Sequence, residues 1–168
     1  LPDDDYFKAI EDLCERLKGV DQVLCDPDVT TVRLVATPEK VVLKETQRAF
    51  MYFCLYKMCI DAVIMNRILP SRVTDAYFEE WRRGQAINLR KAEEYFHPVP
   101  ILPVNLFGSE IVGYESLKAL SARIYGPADP LGRFVTEDPY RLIKQDGHYC
   151  LRLKLPFVVK ENIDLSMI

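Results

Sequence analysis

Two short, mostly apolar runs frame one longer run in which apolar residues return every three or four positions; together they fill residues 31–69. The first run, Val32, Leu34 and Val35, is rich in β-branched residues and stops at Pro38, and the last, Ala62-Val63-Ile64-Met65, ends at Asn66. Short apolar runs of this kind predict strands buried on both faces. The stretch between them predicts a helix from residue 39 to residue 58, with Leu43, Phe50, Phe53 and Cys54 on one side and Glu45 and Arg48 in its first half. Strand, helix and strand in this order predict a βαβ unit with parallel strands. Open parallel sheets bind ligands beyond the carboxyl ends of their strands, which here are Thr37-Pro38-Glu39 and Asn66-Arg67. Those two turns are the first places to seek function.

The flanks follow the same rules. Asp3, Asp4 and Asp5 precede an i, i+3, i+4, i+7 stripe of Tyr6, Phe7, Ile10, Leu13, Cys14 and Leu17. Acids at the amino end, and Lys18-Gly19 at the close, predict an amphipathic helix. Residues 20–25 either extend it or form a second turn, and Asp26-Pro27-Asp28 ends it. After Pro70, Thr74 is the expected N-cap of a helix whose stripe is Phe78, Trp81, Gln85, Leu89, Ala92 and Phe96, with Gln85 its only polar member. Its other face carries Glu79, Glu80, Arg82, Arg83, Arg90, Lys91 and Glu93, a pattern that predicts a solvated surface. The prolines around Ile101-Leu102-Pro103-Val104 predict a third strand at a sheet edge. A helix is expected from Ser109-Glu110 through Tyr114, Leu117 and Ile124 to Gly126-Pro127. The Pro-, Gly- and Asp-rich residues 127–139 predict a linker, and the alternation on either side of Asp146-Gly147 predicts a hairpin with a two-residue turn.

Composition removes several classes of function. A net charge of -3 gives no electrostatic reason to bind nucleic acid or an anionic membrane. Cys14, Cys25, Cys54, Cys59 and Cys150 are odd in number and unpaired in spacing, with only His97 and His148 to join them. Neither a disulfide framework nor a zinc site is expected, and a reducing cytoplasm fits. No apolar run reaches the length of a bilayer span and no signal peptide opens the chain. The chain starts at Leu1 and ends on Asp164-Leu165-Ser166-Met167-Ile168 without a cap, so it reads as part of a longer protein.

No self-sufficient catalytic set is visible: the chain has no G-x-x-x-x-G-K-[ST], G-x-G-x-x-G, G-x-S-x-G or H-E-x-x-H. His97, between aromatic and proline residues, and His148, in the hairpin, are structural or solvated positions, and Asp3 to Asp5 compensate a helix dipole rather than bind metal. Pattern alone gives an α/β domain with ligand-facing loops.

An ordered series of motifs carries the chain further: D-P-x-x-T-x-x-x-L-V-x-x-P-E (Asp26 to Glu39), E-T-x-R (Glu45 to Arg48) and D-A-V-I-x-N-R-x-L-P (Asp61 to Pro70). W-x-x-x-Q (Trp81 to Gln85), F-x-P-x-P-I (Phe96 to Ile101) and L-F-x-x-E-x-V-G (Leu106 to Gly113) continue it. The series resembles the ArsA family of ATPases, the arsenite-pump and tail-anchored-protein-targeting P-loop proteins. It covers residues 26–126. The end of the chain, L-R-L-x-L-P-F-V (Leu151 to Val158) and D-L-S (Asp164 to Ser166), is similar to the opening of an α-crystallin-like β domain that some bacterial members append.

The resemblance implies the C-terminal part of a P-loop NTPase fold over residues 1–126, a linker over 127–139 and a β-hairpin segment over 140–168. The Walker A loop and switch regions would lie upstream, so this piece would be inactive alone, while the whole protein would be an ATP hydrolase using ATP and Mg²⁺. By family position, Asn66 reads the adenine ring, and Val104, Asn105, Leu106 and Phe107 form the adenine loop. Asn105 stands where the family commonly has Pro. Pro38 and Glu39 share the same edge, Glu39 either as a ligand group or as a helix N-terminal acid. Taken alone, Asn66 is a turn former, and Phe107 is as well explained by packing as by a base. No residue here is assigned a catalytic or metal-ligating role. The targeting members carry a C-x-x-C zinc clasp after the Asn strand, but residues 70–75 contain no cysteine, which leaves a homodimer without that clasp; nor do the five cysteines match a metalloid site. The implied partners are ATP and either a membrane pump subunit or a membrane-protein client. Two alternatives stay open: a non-catalytic protein-interaction module without nucleotide, and a stand-alone small-molecule enzyme using Glu39 and Asn66.

Overall fold

The computed structural model describes residues 4–135, 140–145 and 147–153. Strand β1 (Val32–Ala36), helix α3 (Lys40–Leu55) and strand β2 (Ile60–Ile68) form the βαβ unit, preceded by α1 (Asp4–Leu17) and α2 (Val20–Cys25). Helix α3 begins one residue later and ends three earlier than its apolar spacing predicts. Glu39 occupies its N-cap position, and its last turn closes through Lys57 N–H to the Cys54 carbonyl and Met58 N–H to the Phe53 carbonyl. That pair of hydrogen bonds, with Lys57 at φ 61°, is a Schellman ending built on lysine rather than glycine.

A short 3₁₀ turn (Ala76–Phe78) leads into α4 (Glu79–Phe96), followed by β3 (Ile101–Asn105) and α5 (Tyr114–Tyr125). The cap of the 3₁₀ turn is Asp75, whose carboxylate accepts the Tyr77 N–H at 2.8 Å, and not Thr74. Helix α5 starts at Tyr114, beyond the expected Ser109-Glu110, because Gly113 sits at φ 83°, outside the helical region. The turn at Gly19, φ 91°, likewise separates α1 from α2.

The sheet order is β1-β2-β3 and both pairings are parallel, with Ala36, Met65 and Pro103 level across it. Strand β3 lies at an edge, where Pro103 removes no needed N–H. Leu34, Ala36, Val63 and Met65 pack on one face against Leu43 of α3 and Ala92 and Phe96 of α4, with the Phe50 and Phe96 rings 5.4 Å apart. Fully burying a side chain of this kind contributes about 2 kcal/mol. Burial on both faces holds for β2 but not for β1, whose Val35 is 62% exposed on the opposite face. Helix α3 packs on the Leu34 and Ala36 face of β1, and α5, which lies against β3, does not extend cover to Val35. Trp81, expected in packing, is also 55% exposed.

Strand β2 leaves simple register at both ends. Val32 pairs with Ile60 but Arg33 pairs with Ala62, so Asp61 is an extra residue at the start. Met65 pairs with Pro103 but Ile68 with Asn105, so another extra residue falls near the finish. At the start, Asp61 is fully buried and accepts four hydrogen bonds: Phe134 N–H (2.6 Å) and Val135 N–H (2.9 Å) on one oxygen, Arg33 Nη2 (3.0 Å) and Nε (3.2 Å) on the other. Arg33 donates as well to the carbonyls of Pro130 and Gly132 and to the Tyr125 hydroxyl, and lies against the Tyr125 and Phe134 rings. Burial opposes the guanidinium charge, but the Tyr125 hydroxyl and the Asp61 carboxylate outweigh it and raise the Arg33 pKa. Residues 130–135 are thereby strapped to the start of the sheet. Beyond them, β4 (Tyr140–Gln145) and β5 (His148–Leu153) pair antiparallel, with Gln145 opposite His148 and Gly147 at φ 81°. That pairing fits the expected two-residue turn; Asp146 and residues 154–168, on which the α-crystallin-like reading rests, lie outside the described residues.

Candidate functional site

The finish of β2 is held by side chains as well as by its strand partner. The extra residue there puts Arg67, at φ 57°, in a conformation that side-chain-bearing residues rarely adopt. Asn66, half-buried, accepts the Arg67 N–H on its own Oδ1 at 2.8 Å. Gln85 of α4 donates from Nε2 to the Arg67 carbonyl (3.3 Å) and accepts the Leu69 N–H on Oε1 (2.9 Å). Between these, the Ile68 carbonyl accepts the Leu106 N–H at 2.8 Å. The Arg67 N–H and carbonyl, the Ile68 carbonyl and the Leu69 N–H therefore all have partners.

That last bond joins β2 to the turn after β3. Val104 is buried within β3, Asn105 and Leu106 are exposed at its end, and Phe107 is half-buried. A recess of about 260 Å³ opens beside them, bounded by Asn105, Leu106 and Phe107 on one side and by Pro70, Arg72 and Arg123 on the other. The Arg123 guanidinium lies 5.9 Å from the Phe107 ring centre. Asn66 does not line this recess; it stands at the end of the adjacent strand, two residues before Ile68.

Pro38 and Glu39 occupy the same rim one strand further over. Pro38 is buried, and its carbonyl accepts Asn88 Nδ2 at 3.0 Å. Glu39 is exposed, and one carboxylate oxygen accepts the Thr37 hydroxyl at 3.3 Å. Both border a second recess, of about 520 Å³, with Trp81, Gln85 and Asn88 of α4. Asn105, Leu106 and Phe107 are thus brought into one recess, Asn66 and Val104 line neither, and Pro38 and Glu39 border the other. Burial raises the pKa of the Cys54 thiol, which keeps it protonated rather than nucleophilic.

A model of the anion-transporting ATPases matches residues 1–126. The chain belongs to the ArsA family of ATPases. Among its relatives, "Putative arsenical pump-driving ATPase 1" of Aquifex aeolicus is 46% identical over 98% of this chain and 43% of its own length. "Putative arsenical pump-driving ATPase" of Chlorobaculum tepidum is 34% identical over 98% and 41%. "ATPase GET3" of Candida tropicalis is 26% identical over 75% and 37%. The chain therefore spans well under half the length of these curated relatives. No helix among the described residues is long and apolar enough to cross a membrane.

The rim combines apolar surface with a side-chain amide. Leu106 and Phe107 provide apolar surface beside the recess. Asn66 Nδ2 has no partner among the described residues, and Oδ1 keeps a second lone pair beside its bond to Arg67. Three contributors were not singled out in the sequence. Arg72 and Arg123 carry no local signal, since exposed arginines are common in any surface pattern. Asn88 is hidden for the same reason, whereas Gln85 was visible as the one polar residue in an apolar stripe.

Proposed function

We propose that this chain supplies the base-binding side of the nucleotide site in an ATP-hydrolysing protein that uses ATP with Mg²⁺. Hydrolysis of Mg²⁺-bound ATP supplies the phosphoryl transfer that drives a conformational cycle; the residues here bind and orient. Asn66 reads the polar edge of the adenine through its amide. Val104, Asn105, Leu106 and Phe107 form the loop against which the ring rests, and Pro38 and Glu39 shape the neighbouring turn. The observation that carries this reading is the 2.8 Å bond from Leu106 N–H to the Ile68 carbonyl, which ties the turn after β3 to the strand end that bears Asn66. The 168 residues contain no Walker A lysine or phosphate-cradling glycine loop, so the piece alone is inactive. Residues 1–126 form the ATPase portion, a division supported by the end of the family match; residues 127–139 link it to an appended β segment.

The whole protein drives anion efflux through a membrane pump subunit, a choice favoured over membrane-protein targeting by the pump-driving names of relatives at 46% and 34% identity against 26% for the GET3 relative. It works in the cytoplasm, does not bind nucleic acid, and pairs, if at all, without a zinc clasp. The test is Asn66→Ala in the full-length protein. Loss of a buried polar pair should weaken ATP binding by about 1 to 3 kcal/mol in calorimetry; unchanged affinity contradicts the assignment, and absence of any nucleotide binding favours a non-catalytic interaction module.

A further inference from the structure

Gln85 and Asn88 lie three residues apart on α4, so their side chains share one face of the helix. Each ends in an amide, and each amide is spent on backbone at the ligand rim: Gln85 on Arg67 and Leu69 after β2, Asn88 on Pro38 after β1. A side-chain amide carries a donor and an acceptor in one rigid plane. Gln85 uses both, spanning the extra residue in β2 much as a neighbouring strand would. The conformation it spans is a costly one, because Arg67 is neither Gly nor Asn yet sits at φ 57°. Without both bonds the turn has little reason to keep that shape.

We propose that Gln85 is a positioning residue for base recognition: it fixes the backbone from which Asn66 projects, and with Asn88 it makes α4 a brace across two adjacent turns of the rim. This deepens the function proposed above and rests on it. Gln85 touches no base, and its effect passes through Asn66. The consequence is selective. A residue that merely packs α4 would change the affinity for all nucleotides alike, whereas a residue that aims Asn66 changes the preference between bases that differ at the edge Asn66 reads.

The test compares ATP with inosine triphosphate, whose base carries a carbonyl in place of the adenine amino group, on the full-length protein with Mg²⁺. Gln85→Met keeps the length of the side chain and removes both hydrogen bonds. It should weaken ATP binding by about tenfold and bring the ATP-to-inosine-triphosphate affinity ratio down to that of Asn66→Ala. Gln85→Glu retains the acceptor for Leu69 but sets a carboxylate oxygen against the Arg67 carbonyl, so it should also lose the preference. If Asn66→Ala abolishes the preference and Gln85→Met retains it, the positioning role is wrong while the proposed function stands. If Asn66→Ala leaves the preference as in the unaltered protein, the proposed function itself fails and the positioning role with it. Equal loss of both nucleotides in Gln85→Met, with the ratio intact, reduces Gln85 to packing.

Discussion

Strand β2 has an irregular register at each end, and the two ends use the extra residue in opposite ways. At its start the extra residue is Asp61, fully buried, with both oxygens saturated by Arg33 and by the Phe134 and Val135 amides. At its finish the irregularity leaves Asn66 half-buried with its Nδ2 unengaged among the described residues, and Arg67 exposed in a strained conformation. One end closes every polar valence of its carboxylate on the protein itself; the other leaves an amide donor unspent. A buried charge that is fully paired and hydrogen-bonded serves architecture. A strained backbone with an unspent amide is where a ligand can be recognised. Two features of the same type, a few residues apart on one strand, are separated by what their polar groups already hold.

The largest test of this contrast is Asp61→Ala. It takes the carboxylate from the Arg33 guanidinium and leaves the Phe134 and Val135 amides without their acceptor, and the expected cost is about 3 to 5 kcal/mol of stability, measured as a lower urea midpoint of the full-length protein. A loss below about 1 kcal/mol, the level of an exposed pair, would mean that the strap is not a buried ion pair in solution. Asn66→Ala should behave in the opposite sense, with little change in the urea midpoint and the weaker ATP binding given above. The smallest effect is expected from Asp75→Ala, which removes the cap before α4 and should cost about 1 kcal/mol without altering the preference for ATP over inosine triphosphate. A shift in that preference would show that the position of α4 depends on its first turn and not on Gln85 and Asn88.

Much of the frame could be read from residue order. The runs at Val32 to Val35 and Ala62 to Met65, with a helical run between, gave parallel strands, and Pro103 gave the edge strand. The rim followed from them, with Asn66 and Leu106 at adjacent strand ends. The strap at the other end was not legible, because Arg33 and Asp61 look like ordinary polar positions in their runs and their partners are far along the chain, Pro130 97 positions from Arg33 and Phe134 73 positions from Asp61. Residues 127–139 read as a plain linker since proline and glycine signal turns whether or not the turn is docked. The exposure of Val35 was hidden for a related reason: an apolar run reports what can be buried, while neighbours decide what is.

The most direct measurement is hydrogen exchange on the full-length protein with and without a non-hydrolysable ATP analogue. Nucleotide should slow exchange at residues 66–69 and 104–108 and leave the amides of Phe134 and Val135, already bonded to Asp61, unchanged. Slowing confined to residues 130–135 and the start of β2, with none at 66–69 or 104–108, would place the ligand at the other end of the sheet and contradict the proposed base-binding role of the rim.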